Sequence, residues 1–258
     1  MKFVLFGGSR PVVLRAVEWM RQRGFELTAV VASEPGPDLQ TLLAGLNLPL
    51  LDYDRLLQAA RDGFFPGDYR FAAEADVFLS FMFQRKFKEP LISMPPGGCF
   101  NFHPAPLPDY RGVGCYCRGL LDRVSRWGVS FHRIDRGIDT GDLIEVLRFD
   151  IDPDEETSLS LQRRSMLKME ELFQRLVPLI DSGRLPEARP QDQAAGTYTS
   201  LSDLAALKKV SADDSAEETA RKIRAFWSPP NLGAHVEIGG QKFTLVSEFI
   251  LKQLAEGS

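Results

Sequence analysis

The start of the chain carries an alternation that admits few folds. "KFVLF" is a short continuous apolar run, "GGSRP" breaks it, and "VVLRAVEWMRQRGF" carries Val13, Ala16, Val17 and Met20 at helical spacing before "ELTAVVAS" gives a second apolar run. Continuous runs of this kind belong to strands covered on both faces, as in a parallel sheet. Strand, turn, helix and strand make a βαβ unit, so the expected class is α/β, with a parallel sheet carrying helices on its faces. The pattern continues. "LQTLLAGLNLPLL" offers a helix and a short strand, "DYDRLLQAARDG" a helix, "ADVFLSFMF" a buried strand, and "GCFNFHP" a strand end. "WGVSFHRID" and "DLIEVLRFDI" are strands around the turn "RGIDTG". A long amphipathic helix follows, with Leu161, Ser165, Leu167, Met169, Leu172, Phe173, Leu176 and Val177 on its inner side.

Composition shifts near residue 186. We read 1–185 as the main domain, the polar, proline-rich 186–200 as a linker, and 201–258 as a small α+β tail. In the tail, "SAEETARKIRAFW" is a helix with a capping pattern from Ser215 to Glu218, and "HVEIGGQKFTLVSEFIL" a hairpin turning at Gly239–Gly240. The hairpin's edges make a homodimer the expected assembly.

Charge and cysteine content exclude some functions. A net charge of −4 argues against a nucleic-acid partner bound by global positive charge. Three cysteines, Cys99, Cys115 and Cys117, form no disulfide framework and no complete zinc set, so free thiols in the cytoplasm and no metal are expected. No apolar run reaches membrane-spanning length, so no membrane partner is expected.

Ligands of parallel α/β sheets bind at the carboxyl ends of the strands. Three features fall there. Asn101 and His103 follow "GGCF", Asp139 follows the strand "GVSFHRI", and Gly7–Gly8 precede a helix with Ser9 and Arg10 at its start. An amide that donates to a carbonyl oxygen, an imidazole that titrates near neutrality and a carboxylate suit acyl transfer to an amine. The glycine turn fits either a phosphate site or a tight turn. His132 alternates with apolar residues and reads as a buried, hydrogen-bonded histidine; His235 reads as a surface or structural residue.

"FNFHPAPLPDYRG" and "GVSFHRIDRGIDTGDLI" resemble the two signature motifs of the formyltransferases that use 10-formyltetrahydrofolate. The resemblance covers roughly residues 1–180 and implies a Rossmann-like formyltransferase domain. It makes Asn101, His103 and Asp139 the catalytic residues, with 10-formyltetrahydrofolate as cosubstrate and no metal. The same resemblance puts the pterin against Met82, Phe83, Gln84, Arg85, Asp135, Gly137 and Ile138, with Leu107 as an apolar contact. The wording "LPDYRGVGCYCRGL" is most similar to the sugar N-formyltransferases. That similarity implies a nucleotide-linked amino-deoxysugar as acceptor, in polysaccharide biosynthesis. Ser9 and Arg10 would face its phosphates, and Tyr110, Arg111 and Tyr116 its pocket; Arg111 reads equally as a loop-pinning ion pair. Methionyl-tRNA formyltransferase-like and formyltetrahydrofolate hydrolase activities are the alternatives, the hydrolases being set back because they carry an added N-terminal domain.

Overall fold

The structure, a computed structural model, describes residues 1–256 except 193 and 232. Those two positions, one in the expected linker and one in the expected tail, and residues 257–258 at the tail's end lie outside the described residues. In chain order the elements are β1 (Lys2–Phe6), α1 (Pro11–Gln22), β2 (Glu26–Ala32), α2 (Pro37–Gly45), β3 (Leu50–Asp52), α3 (Tyr53–Asp62), α4 (Arg70–Ala73), β4 (Val77–Phe81), β5 (Gly98–His103), β6 (Tyr110–Gly112), α5 (Cys115–Leu121), β7 (Arg126–Arg133), β8 (Leu143–Asp150) and α6 (Ser158–Asp181). Then come β9 (Thr197–Thr199), α7 (Leu201–Leu207), α8 (Ala216–Ala225), β10 (His235–Ile238), β11 (Gln241–Thr244) and α9 (Glu248–Glu256).

The main sheet has seven strands in the order β3-β2-β1-β4-β5-β7-β8. The pairs from β3 to β5 are parallel, while β5–β7 and β7–β8 are antiparallel. The fold is therefore the expected α/β one, with an antiparallel edge that the apolar runs did not reveal. The short turn between β7 and β8 allows only antiparallel pairing, because a parallel return needs a long crossover. Helices cover both faces. Val13, Val17 and Met20 of α1 and Met169, Phe173 and Val177 of α6 share one core with Phe3, Leu5, Leu79, Phe100, Phe102 and Phe131. Leu56 and Leu57 of α3 pack with Val4, Phe6, Val31 and Phe78 on the other side. Among the described residues, no helix is long and apolar enough to cross a membrane.

Local chemistry sets the helix ends. Asp52 accepts from Arg55 N to cap α3, Thr157 and Ser160 cap α6 reciprocally, and Ser215 and Glu218 do so for α8. One position of α6 departs from expectation: Leu167 is exposed rather than on the inner side. The apolar stripe runs through Leu161, Ser165, Met169, Leu172, Phe173 and Leu176, which leaves Leu167 on the outer face.

The stretch expected as a linker is pinned to the body. β9 lies inside it and pairs parallel with β6, and Arg189 and Leu143 exchange backbone hydrogen bonds of 2.8 Å in both directions. The tail carries the expected hairpin, β10–β11, and shares a core with the body. Ile223, Phe226, Ala234 and Ile250 cluster with Ala105, Leu120 and Trp127.

Candidate active site

The strand order departs in both directions from the neighbours β1 and β4, so a crevice opens at their carboxyl ends. Arg10 follows β1, Met82–Arg85 follow β4, and Asn101 and His103 close β5. A cavity of about 660 Å³ lies there, lined among others by Arg10, Met82, Asn101, His103, Tyr116, His132, Asp139 and Gln162.

Register assembles the polar centre. Phe100 and Phe102 face the core, so Asn101 and His103 face the opposite side. Antiparallel pairing sets Asn101 against His132 and His103 against Ser130. Ser130 Oγ accepts from Leu107 N at 2.8 Å and donates to the Ala105 carbonyl at 2.7 Å, and Trp127 Nε1 donates to the Pro104 carbonyl. The proline-rich loop after β5 is thus tied to β7.

The hydrogen bonds define protonation. His132 Nδ1 lies 2.7 Å from the Arg133 carbonyl, which can only accept, so Nδ1 carries the hydrogen and Nε2 is the acceptor. Asn101 Nδ2 donates to that Nε2 at 3.1 Å. His132 is therefore neutral, and its 3.8 Å approach to Asp139 Oδ1 is not an ion pair. Burial lowers its pKa well below the usual imidazole range; Asp139 pulls the other way and His103 adds to the lowering. His103 Nε2 donates to the Tyr110 carbonyl at 2.9 Å. That leaves Nδ1, 3.4 Å from Asp139 Oδ1, as the nitrogen that can exchange a proton. The other Asp139 oxygen accepts from Gly112 N at 3.1 Å.

Asp139 occupies left-handed backbone, φ 57°, which residues with a Cβ seldom adopt. Met82, also in the cavity lining, does the same at φ 59°. Gly141 must be glycine, because a Cβ there would stand 2.0 Å from the Arg133 carbonyl oxygen.

Of the residues expected in the site, Asn101, His103, Asp139, Met82, Phe83, Gln84, Arg85, Asp135, Gly137, Ile138, Arg10 and Tyr116 line one cavity. Arg85 is also paired with Asp54, and Asp135 accepts from Gly137 N and Thr140 Oγ1 within its own loop. Four expected residues are absent from the lining. Ser9 Oγ accepts from Gly36 N at 2.6 Å and braces a neighbouring loop. Leu107 is fully buried beneath the proline-rich turn. Tyr110 packs on Trp127 and donates to Asp122, and Arg111 donates to the Ala195 carbonyl. These contacts engage both side chains with the body rather than the cavity. Tyr116 does reach it, and burial pushes its phenol well up in pKa. The thiols of Cys99 and Cys115 are pushed up by burial, so neither is poised as a thiolate.

Sequence reasoning set aside His132 and missed Gln162, Tyr198 and Leu201. The alternation N-x-H on β5 and S-x-H on β7 was the available signal for His132. The last two sit at β9 and α7, where polar composition hid them.

An amide, two imidazoles and a carboxylate at the strand ends of a mixed α/β sheet are groups that can support acyl transfer. Residues 68–177 match the formyl transferase family model. It is 29% identical to a methionyl-tRNA formyltransferase of Thermotoga neapolitana over 182 residues, covering 69% of this chain and 55% of that protein. The chain thus spans about half the length of that relative. In fold it is similar to a 4-N formyltransferase from Francisella tularensis, with TM-score 0.78, 19% identity, and 96% and 97% of the two chains covered. An N-formyltransferase from Helicobacter canadensis, solved with folinic acid and dTDP-3-aminofucose, matches with TM-score 0.71, 21% identity, and 94% and 86% coverage.

Proposed function

We propose that this protein is an enzyme that moves a formyl group from 10-formyltetrahydrofolate to the amino group of a nucleotide-linked amino-deoxysugar. The observation that carries the reading is the centre itself: the pairs Asn101–His132 and His103–Asp139 side by side at the wall of one cavity, in a chain whose residues 68–177 match the formyl transferase family model. The cavity is roomy and largely apolar beyond that centre, as a folate requires.

Bound 10-formyltetrahydrofolate supplies an acyl carbon already activated on N10, so the chain need provide no nucleophile. Asn101 commits one amide hydrogen to His132 and keeps the other for the formyl oxygen. His103 and Asp139 take up the proton that the amine releases as its nitrogen bonds the formyl carbon. They return it to N10 as the carbon–N10 bond breaks. Arg10, at the uncapped N-terminus of α1, would hold a phosphate of the acceptor, with Gln162 and Tyr116 nearby. The homodimer belongs to the same proposal, supported by exposed Ile238 and Phe243 on the C-terminal hairpin.

A second reading, formylation of methionyl-tRNA, is favoured by the curated relatives, one of which matches 98% of this chain at 24% identity. The net charge of −4 weighs against it. Turnover with 10-formyltetrahydrofolate and a panel of nucleotide amino-sugars, charged initiator tRNA, or water alone decides. Efficient transfer to a nucleotide amino-sugar is expected. Preferential formylation of the tRNA, or hydrolysis unaffected by any amine, would overturn the proposal.

A further inference from the structure

The Asp139 carboxylate is only as well placed as the loop that carries it, and that loop holds Asp139 in left-handed backbone. Part of the restraint is local, through Thr140 and Asp135. The rest comes from a segment some fifty residues further along the chain. Gln191 Nε2 donates to the Asp139 carbonyl at 3.1 Å and to the Gly141 carbonyl at 2.6 Å. Two carbonyl acceptors fix the orientation of the amide, because only its nitrogen can serve both. Gln191 is itself held from both sides. Arg189 pairs with Leu143, and Thr197 N donates to the Asp109 carbonyl at 2.7 Å. β9 then pairs with β6, the strand whose Gly112 N–H holds the Asp139 carboxylate. One stretch of chain thus grips Asp139 by its backbone carbonyl and, through β6, by its side chain.

We infer that Gln191 is a positioning residue that sets the pose of Asp139, so that the rate of transfer depends on a segment outside both signature motifs. The inference rests on the proposed role of Asp139 in proton transfer. Gln191 need not touch either substrate for this. It acts by presenting the carboxylate to His103 Nδ1, and a small misplacement of a proton-transfer group costs rate rather than binding.

Two variants and two readouts test it. Gln191→Ala should lower kcat about 10- to 30-fold, with KM for folate and for acceptor within about threefold of wild type. Hydrogen exchange at the Gly112 amide should quicken by about tenfold, with β4 amides unchanged. Gln191→Glu should be at least as impaired at neutral pH, since an ionised carboxylate cannot donate to two carbonyls. Its activity relative to wild type should recover as pH falls and the carboxyl regains a hydrogen. A kcat within twofold of wild type in both variants, or unchanged Gly112 exchange, would overturn the inference. If the wild-type protein transfers no formyl group to any acceptor, the proposed function fails, while Gly112 exchange still decides whether Gln191 holds the loop.

Discussion

The two halves of the seven-stranded sheet use the same backbone for different ends. In the parallel half, β4 is buried at every position and β1 at all but its first, with helices on both faces. In the antiparallel half, β7 buries Ser130 and His132 among apolar neighbours, and β8 is only partly covered. β5 joins the two. One of its faces continues the apolar core through Phe100 and Phe102, and the other carries Asn101 and His103. A strand anchored by aromatic packing on one side can hold polar groups rigidly on the other. The proposed chemistry sits where the sheet changes from one regime to the next, and the two faces of β5 should therefore fail in different ways.

The largest effect is expected on the core face. Phe102 is fully buried and meets Phe81, Phe131 and Phe173 at ring-centroid distances of 5.4, 4.5 and 5.1 Å. Phe102→Ala should cost about 3–5 kcal/mol of stability in urea unfolding. A loss under about 1 kcal/mol would show that the face is not the anchor described here. On the cavity face the sign of the comparison reverses. Asp139→Asn keeps an oxygen for the Gly112 N–H but cannot accept a proton as a carboxylate does. It should lower kcat by about 10²-fold or more with stability and folate KM little changed. Near-normal turnover would remove Asp139 from the chemistry.

The same comparison explains what could be read from the sequence. The parallel half was legible because its strands are continuous apolar runs, each followed by a helix with its own periodicity. Asn101, His103 and Asp139 were legible from motif and strand end together. His132 was not, because its alternation with Val129 and Phe131 is also the signature of a core strand. Its partner Asn101 is fixed by cross-strand register, which no local pattern encodes. Leu107 and Tyr110 show the opposite error: they lie inside a functional motif yet serve its packing. Gln191 sits in polar, proline-rich sequence, and only tertiary contact distinguishes such a stretch from a free linker.

His132 also sharpens the contrast between a buried apolar strand and a buried polar one. Its folded pKa is lowered, so above about pH 6.5 it is neutral in both folded and unfolded chains and adds no pH dependence. Below that, the unfolded chain binds a proton that the folded chain refuses. Stability should then fall with pH, by up to about 1.4 kcal/mol per unit from this residue, until the lowered folded value is reached. Unfolding free energies of wild type and His132→Gln between pH 7 and 5 measure the difference. The variant should show the flatter curve, since glutamine has no proton to gain. Parallel curves would mean that His132 is not held neutral by its burial.

The smallest effect is expected at the far end of the crevice, where the parallel half contributes Arg10. This residue precedes α1, whose first turn holds no acidic side chain and whose N-cap makes no side-chain hydrogen bond. The helix end therefore presents partial positive charge beside a guanidinium, a combination suited to a phosphate. Among the described residues, no hydrogen bond or ion pair joins Arg10 to the Asn101–His103–Asp139 centre, so its contribution should be uniform binding rather than transition-state stabilisation. Arg10→Ala should raise the KM for a nucleotide-linked acceptor about tenfold, with kcat and folate KM within about twofold. The free amino-sugar, lacking the phosphates, should be a poor substrate for wild type and variant alike, because remote binding energy positions the amine at the formyl carbon. A fall in kcat equal to the rise in KM would instead tie Arg10 to the transition state. Indifference of the wild type to the phosphates would place the acceptor's recognition elsewhere in the cavity.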